Sequence, residues 1–75
     1  MKILETNIVM DSYNQYHIWD MCEDDGSYYF TLDSVKLDWT FPKICYGSAI
    51  RHYNLVLSQN DDVDWVVQWA LGENK

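Results

Sequence analysis

The fold is decided by the stretch from Tyr16 to Leu32, which reads YHIWDMCEDDGSYYFTL. Asp25-Gly26 at its centre is typical of a two-residue hairpin turn of type I′, because that turn needs positive φ at both central residues. Such a turn places Asp24 opposite Ser27 and sets the pairing of all the residues before it. The stretch therefore predicts two antiparallel strands joined by an acidic tip.

Alternation of side chains along the two strands divides this hairpin into an apolar face and a mixed face. The apolar face, which we expect to form the core, carries His17, Trp19, Met21, Glu23, Tyr28, Phe30 and Leu32. The mixed face, which combines carboxylates with aromatic rings, carries Tyr16, Ile18, Asp20, Cys22, Asp24, Tyr29, Thr31 and Asp33. We expect the mixed face to contact a partner.

The segments on either side of the hairpin extend the sheet. The run from Lys2 to Met10 alternates partly and predicts a first strand, and the turn residues Asp11 to Asn14 predict a short antiparallel connection. The run from Val35 to Phe41 also alternates, which fits either a fourth strand or a bent continuation of the third. Pro42 ends this run, because proline cannot donate to a sheet ladder.

Helices are predicted after Pro42. The first begins either at Pro42 or after Gly47, with Ser48 as its N-cap. The second carries an apolar stripe at helical spacing, formed by Val63, Val66, Val67, Ala70 and Leu71. Its first turn holds carboxylates that suit the positive end of the helix dipole, and these are Asp61, Asp62 and Asp64. Gly72 is a natural C-terminal stop.

These elements predict one α+β domain over residues 1–75, with a small antiparallel sheet of three to four strands packed against one or two C-terminal helices. Trp65 and Trp69 do not join the stripe of the last helix, since they project nearly opposite to it. A chain this short cannot easily bury two apolar sides of one helix. Either the sheet and the preceding helix enclose the last helix, or the two tryptophans form an interface.

The charge of the chain limits the classes of partner that it can bind. Twelve acidic residues against five basic ones give a net charge of −7. This argues against direct binding of nucleic acid or of an anionic membrane surface, which both need clustered Lys and Arg. It is compatible with a basic protein partner, including one that itself binds nucleic acid. Without an unbroken apolar run for a signal peptide or a membrane span, we expect a cytoplasmic protein.

The sequence predicts no catalytic residue, metal or cofactor. Asp20, Cys22 and Asp24 match the first ligand positions of an EF-hand loop, but Asp25 replaces the obligatory glycine. The histidine and cysteine spacings differ from those of structural zinc sites. If Cys45 and His52 lay on one helix, they would be about 10 Å apart along its axis, which is too far for a nucleophile and its base. A chain this small also rarely encloses a substrate cleft, so we expect no enzyme.

The leading hypothesis is a non-enzymatic, acidic protein-binding module. Its short length, acidity, aromatic content and lack of catalytic motifs are similar in general character to small phage-encoded inhibitors of host defence proteins, anti-CRISPR proteins included. That likeness assigns no residue, and it implies action in the host cytoplasm by occupying the basic nucleic-acid-binding surface of a partner. The expected partner-binding residues are Asp20, Glu23, Asp24, Asp25, Asp33, Tyr16, Tyr29, Trp65 and Trp69.

Two alternatives stay open. The chain could be a structural or assembly protein, either a homodimer or an accessory subunit, that associates through its aromatic surface. It could also be an immunity or antitoxin-type protein that neutralises a basic toxin by the same electrostatics. Salt separates the first alternative from the leading hypothesis, because salt weakens contacts between exposed charges and hardly changes contacts made by tryptophan.

Overall fold

Four strands are followed by two helices in the computed structural model, which describes residues 1–73. The strands are β1 (Lys2–Met10), β2 (Tyr16–Asp24), β3 (Ser27–Leu32) and β4 (Val35–Pro42). A 3-10 turn (Lys43–Cys45) leads into the helices α1 (Tyr46–Ser58) and α2 (Asn60–Glu73). The strands form one antiparallel sheet in the order β1-β2-β3-β4. The α+β class, with an N-terminal sheet and C-terminal helices, is confirmed.

The hairpin between β2 and β3 has the predicted turn and register. Asp25 and Gly26 have φ values of 52° and 79°, and Asp24 pairs with Ser27. A second turn of the same kind follows β3, where Asp33 and Ser34 have φ values of 49° and 71°. The run from Val35 is therefore a separate fourth strand that folds back on β3.

A bulge interrupts the pairing of β4 with β3. Between the pairs Thr31–Lys36 and Tyr29–Thr40, β3 advances by two residues while β4 advances by four. Leu37 and Phe41 on β4 are still buried in the core. Trp39 between them lies on the same side, as the alternation predicts, and packs against Trp69, but it is 40% exposed.

The two helices pack on the face of the sheet that the hairpin register marks as apolar. That face buries Trp19, Met21, Tyr28, Phe30 and Leu32 against the helices. Tyr53 of α1 stacks on the Trp19 indole with ring centroids 5.4 Å apart. The Tyr53 hydroxyl donates a hydrogen bond to the Trp19 carbonyl, and the Trp19 indole N–H donates one to the Tyr53 carbonyl. These paired bonds fix α1 over the middle of β2.

The helix ends differ in part from the predictions. Pro42 precedes the 3-10 turn, and α1 begins at Tyr46, so neither predicted start of this helix is the observed one. Gly72 lies inside α2, which continues to Glu73. Leu71 was predicted to join the buried stripe but is exposed, because it lies in the last turn of α2, beside the ends of the strands. No helix within residues 1–73 has the length and apolar character needed to cross a membrane.

The opposite face of the sheet, here called the outer face, is not covered by the helices. Its exposed side chains on β1 and β2 include Ile3, Ile8, Tyr16 and Ile18. On β3, Tyr29 is buried although it lies on this face, because the ammonium of Lys36 sits 4.4 Å above its ring. The mixed face of the predicted hairpin is thus the outer face of the domain.

Candidate functional site

The carboxylates at the hairpin tip form the first group of predicted partner-binding residues. Asp24 and Asp25 are exposed at the β2–β3 turn. Glu23 lies on the helix side of β2, and one of its carboxylate oxygens is 3.8 Å from Nζ of Lys43. Asp24 is 3.9 Å from the amino group of Met1. The tip is therefore accessible, but two of its three carboxylates already face positive charges of the chain.

A second group lies at the opposite end of the hairpin. Tyr16 begins β2 and Asp33 follows β3, so strand lengths of about 27 Å and about 20 Å, respectively, separate them from the tip. Asp33 Oδ1 accepts a hydrogen bond from the Ile18 amide at 2.9 Å, and its other oxygen lies 2.7 Å from His17 Nδ1. Asp33 thus stabilises its own turn, and Tyr16 is freely exposed.

Asp20 and Tyr29 lie between these groups on the outer face. Oδ1 of Asp20 is buried without a hydrogen-bond partner, while burial raises the pKa of the Tyr29 hydroxyl. The predicted acidic residues therefore occupy three separate places: the tip, the middle of the outer face and the far end of the hairpin. The structure does not bring them into one cluster.

The far end also contains a histidine bridge that the sequence did not reveal. Nε2 of His17 is 2.9 Å from Oδ2 of Asp11, and its Nδ1 faces Asp33. Burial lowers the pKa of His17, but the two carboxylates outweigh this, and the net pKa is raised. The bond to His17 is the largest of the causes that lower the pKa of Asp11, which also accepts the amides of Tyr13 and Gln15. The bridge joins the β1–β2 loop to the β3–β4 turn.

Trp65 and Trp69 belong to a different site, on the helix side of the domain. They line an open cavity of about 120 Å³ between α1, α2 and the bulged part of β4, which we call the Trp groove. Its walls are formed by Trp39, His52, Leu55, Asp62, Trp65 and Trp69. Its floor consists of the buried side chains Trp19, Phe30, Val56 and Val66. Trp65 is 62% exposed and stands at the opening.

Neighbouring groups hold the aromatic walls of the Trp groove in place. The indole N–H of Trp69 donates a hydrogen bond to Asp38 at 2.8 Å. The Trp39 ring contacts the His52 ring edge to face, with centroids 4.9 Å apart. Nδ1 of His52 donates to the carbonyl of Ser48, one turn earlier in α1, at 2.7 Å. The ring of Trp65 packs against that of Trp69, with centroids 5.1 Å apart.

Helical periodicity separated Trp65 and Trp69 from the core stripe, and they line the open groove rather than a closed core. Trp39, His52 and Leu55 were missed as members of the site. Alternation along β4 places Trp39 on the helix side of the sheet, but only the structure shows that its ring meets His52 and Trp69 there. His52 and Leu55 join because the Tyr53 anchor sets the rotation of α1.

Two features of the described residues bear on reactive chemistry. Within residues 1–73, no group of three or more His, Cys, Asp or Glu side chains is arranged to hold a metal ion. Burial raises the pKa of the Cys22 thiol, which disfavours the reactive thiolate. The Trp groove is an apolar cavity with one carboxylate, Asp62, in its wall, and it suits a side chain inserted by another molecule.

Comparisons of this chain with protein-family models, with curated proteins and with solved structures give no match.

Proposed function

We propose that this domain is a non-enzymatic, acidic protein-binding module that contacts a basic protein partner through the Trp groove. The observation that carries the proposal is the exposure of Trp65 over an apolar groove with two further tryptophans in its walls. Large exposed apolar surfaces on small domains mark interaction sites. Tryptophan is also among the residues that contribute most to binding energy at interfaces.

The charge of the domain supports a basic partner. A net charge of −7 repels a second copy of the chain and attracts a positively charged surface. The overall dimensions of 35 × 27 × 16 Å mean that one partner could contact both the groove and the acidic tip. In the sharper form of the proposal, the domain inhibits its partner by covering a basic surface that otherwise binds nucleic acid.

Affinity capture with matched variants tests the proposal. Wild type, Trp65→Ala and the control Tyr13→Ala would be immobilised and exposed to lysate of the native host, and bound proteins identified by mass spectrometry. Tyr13 is a suitable control because it is an exposed aromatic residue on the β1–β2 loop, outside the groove. We expect basic proteins that bind wild type and Tyr13→Ala but are lost from Trp65→Ala.

The inhibitor form of the proposal needs a second measurement with the purified partner. Binding of the domain and of nucleic acid should exclude one another, and affinity for the domain should fall as salt rises. If the captured protein binds nucleic acid and the domain at the same time, the inhibitor form is wrong. The general proposal would be contradicted if the captured partner had no excess positive charge, or if Trp65→Ala still bound that partner.

An assembly role is the second candidate, and the outer face favours it. Three isoleucines, Ile3, Ile8 and Ile18, are exposed there, and β1 is a nine-residue edge strand whose outer side has no neighbour among residues 1–73. Exposed apolar edge strands readily pair with another chain. Light scattering on wild type and Ile8→Lys would detect such a dimer. An immunity or antitoxin role uses the same contacts as the leading proposal, and the identity of the captured protein distinguishes it.

A further inference from the structure

We infer that the Trp groove binds one arginine side chain of the partner, with its guanidinium held against the indoles of Trp39, Trp65 and Trp69 and paired with the carboxylate of Asp62. This inference rests on the proposed function and specifies the chemistry that the groove recognises. It follows from the arrangement of the rings, from the charge of the groove wall and from the way both are held in place.

The aromatic geometry suits a cation. The ring centroids of Trp65 and Trp69 are 5.1 Å apart, and those of Trp69 and Trp39 are 6.2 Å apart. A cation is attracted to an aromatic face within about 6 Å of the ring centroid, and tryptophan has the strongest attraction. The three indoles contact one another, so an inserted cation would lie over them rather than between them, and there it can contact more than one ring at once.

The charges around the groove also select a cation. Among the described residues that line the groove, Asp62 is the one carboxylate, and Asp38, outside this lining, accepts the hydrogen bond of Trp69. No lysine or arginine lines the cavity among the residues that the structure describes. Lys36 covers Tyr29 on the outer face, and Lys43 faces the carboxylate of Glu23. A cation that pairs with Asp62 inside the groove can therefore be supplied by the partner.

Arginine fits the groove better than an apolar side chain or lysine. An apolar side chain would cover Asp62 and remove water from its carboxylate without offering a hydrogen bond, which is costly. The ammonium of lysine could pair with Asp62 but is compact and strongly hydrated. A guanidinium is planar and weakly hydrated, so it can stack on an indole and donate to a carboxylate at the same time.

The walls are arranged before the partner arrives, which favours selective binding. Trp69 is fixed by Asp38, and Trp39 rests on His52, whose ring is itself tied to the backbone of α1. Little side-chain freedom is lost when a ligand enters such a site. Only Trp65, at the opening, has room to close over the inserted group.

Titration with short peptides tests this inference without knowledge of the partner. The probes are acetyl-Ala-Arg-Ala-amide and three analogues in which arginine is replaced by citrulline, lysine or leucine. Citrulline has nearly the shape of arginine and no charge. The indole N–H signals of Trp39, Trp65 and Trp69 would be followed by NMR at neutral pH and low salt, with the amide of Gly26 as the reporter of the acidic hairpin tip.

We expect the arginine peptide to shift the three indole signals and to bind at least about fivefold more tightly than the citrulline peptide. Asp62→Asn should weaken the arginine peptide by about two- to fivefold. The matched variant Asp61→Asn, which changes a neighbouring exposed carboxylate outside the groove lining, should have a smaller effect. Trp65→Ala should remove most of the binding and leave the fold intact, because this side chain is largely exposed.

Equal binding of the citrulline or leucine peptide would overturn the inference, because the groove would then recognise shape or apolar surface. Preference for lysine over arginine, or shifts confined to Gly26, would also overturn it. Failure of the wider proposal is distinguishable from these results. If Trp65→Ala loses captured partners while the arginine peptide leaves the indoles unmoved, the domain binds protein through the groove but does not recognise arginine.

Discussion

Removing one hydroxyl group from Tyr53 tests how α1, and with it one wall of the Trp groove, is held on the sheet. This hydroxyl donates to the Trp19 carbonyl at 2.6 Å and accepts from the side-chain amide of Asn7 at 3.0 Å. The variant Tyr53→Phe keeps the stacked ring but leaves both partners without this bond. Because Tyr53 is only 1% exposed, water cannot easily replace the hydroxyl.

The magnitude follows from the cost of a buried polar group that loses its partner, which is about 1–3 kcal/mol. We expect Tyr53→Phe to lower the free energy of unfolding by about 2 kcal/mol. In a domain of this size 1 kcal/mol changes the melting temperature by about 4–8 °C, so Tm should fall by roughly 8–16 °C.

Urea unfolding followed by tryptophan fluorescence, together with calorimetry, measures both quantities. Tyr13→Phe is the matched control, since Tyr13 is highly exposed, and its stability should stay within about 0.5 kcal/mol of wild type. If Tyr53→Phe also stayed within that limit, the hydroxyl would not be the anchor of α1. In Tyr53→Phe the NMR signals of His52 and Leu55 should also shift, because the groove wall that these residues form depends on the position of α1.

Three further outcomes are expected. Stability should fall as pH rises through the pKa of His17, because that pKa is higher in the folded chain than its ordinary value of about 6.5. The stabilisation by His17 is therefore complete below the ordinary pKa and lost above the pKa of the folded chain. Urea titrations of wild type and His17→Gln between about pH 5 and pH 9 check this, and a variant with the same pH slope as wild type would contradict it. Gly26→Ala should destabilise the domain by about 1 kcal/mol, because alanine is strained at the φ of 79° that this residue adopts, although the added carbon would meet no other atom. An unchanged urea midpoint would argue against the type I′ turn. Gly47→Ala, at an open helical position in α1, should stabilise the domain by about 0.5–1 kcal/mol in the same measurement, and a loss of stability there would show that this glycine is needed for packing.

The two turns of the sheet show how far local sequence predicts structure. Asp25-Gly26 identifies its turn directly, because glycine accepts positive φ at no steric cost. Asp33-Ser34 adopts the same kind of turn without a glycine, and its signal was too weak to separate the third and fourth strands. The structure supplies the reason, since the side chain of Asp33 binds the amide of Ile18 and the ring of His17 across the sheet.

The candidate site likewise combines features that the sequence predicts with features that only the structure shows. Helical periodicity placed Trp65 and Trp69 off the core stripe, because that pattern depends only on the angle per residue. Alternation places Trp39 on the helix side of β4, but its contacts with His52 and Trp69 depend on how the helices pack on the sheet. The predicted acidic set came from sequence neighbours along one hairpin, and strand length alone carries its two ends about 27 Å apart.

The sequence by itself determined the α+β class, the β2–β3 hairpin with its register, the apolar face of that hairpin and the acidic charge of the domain. Each of these follows from local rules, namely turn residues, alternation and composition. Only the tertiary structure decided that three tryptophans and Asp62 share one groove and that His17 bridges two carboxylates. The groove forms because the helices, anchored through Tyr53, pack on the sheet, and the bridge forms because strand pairing brings His17 between the two sheet turns.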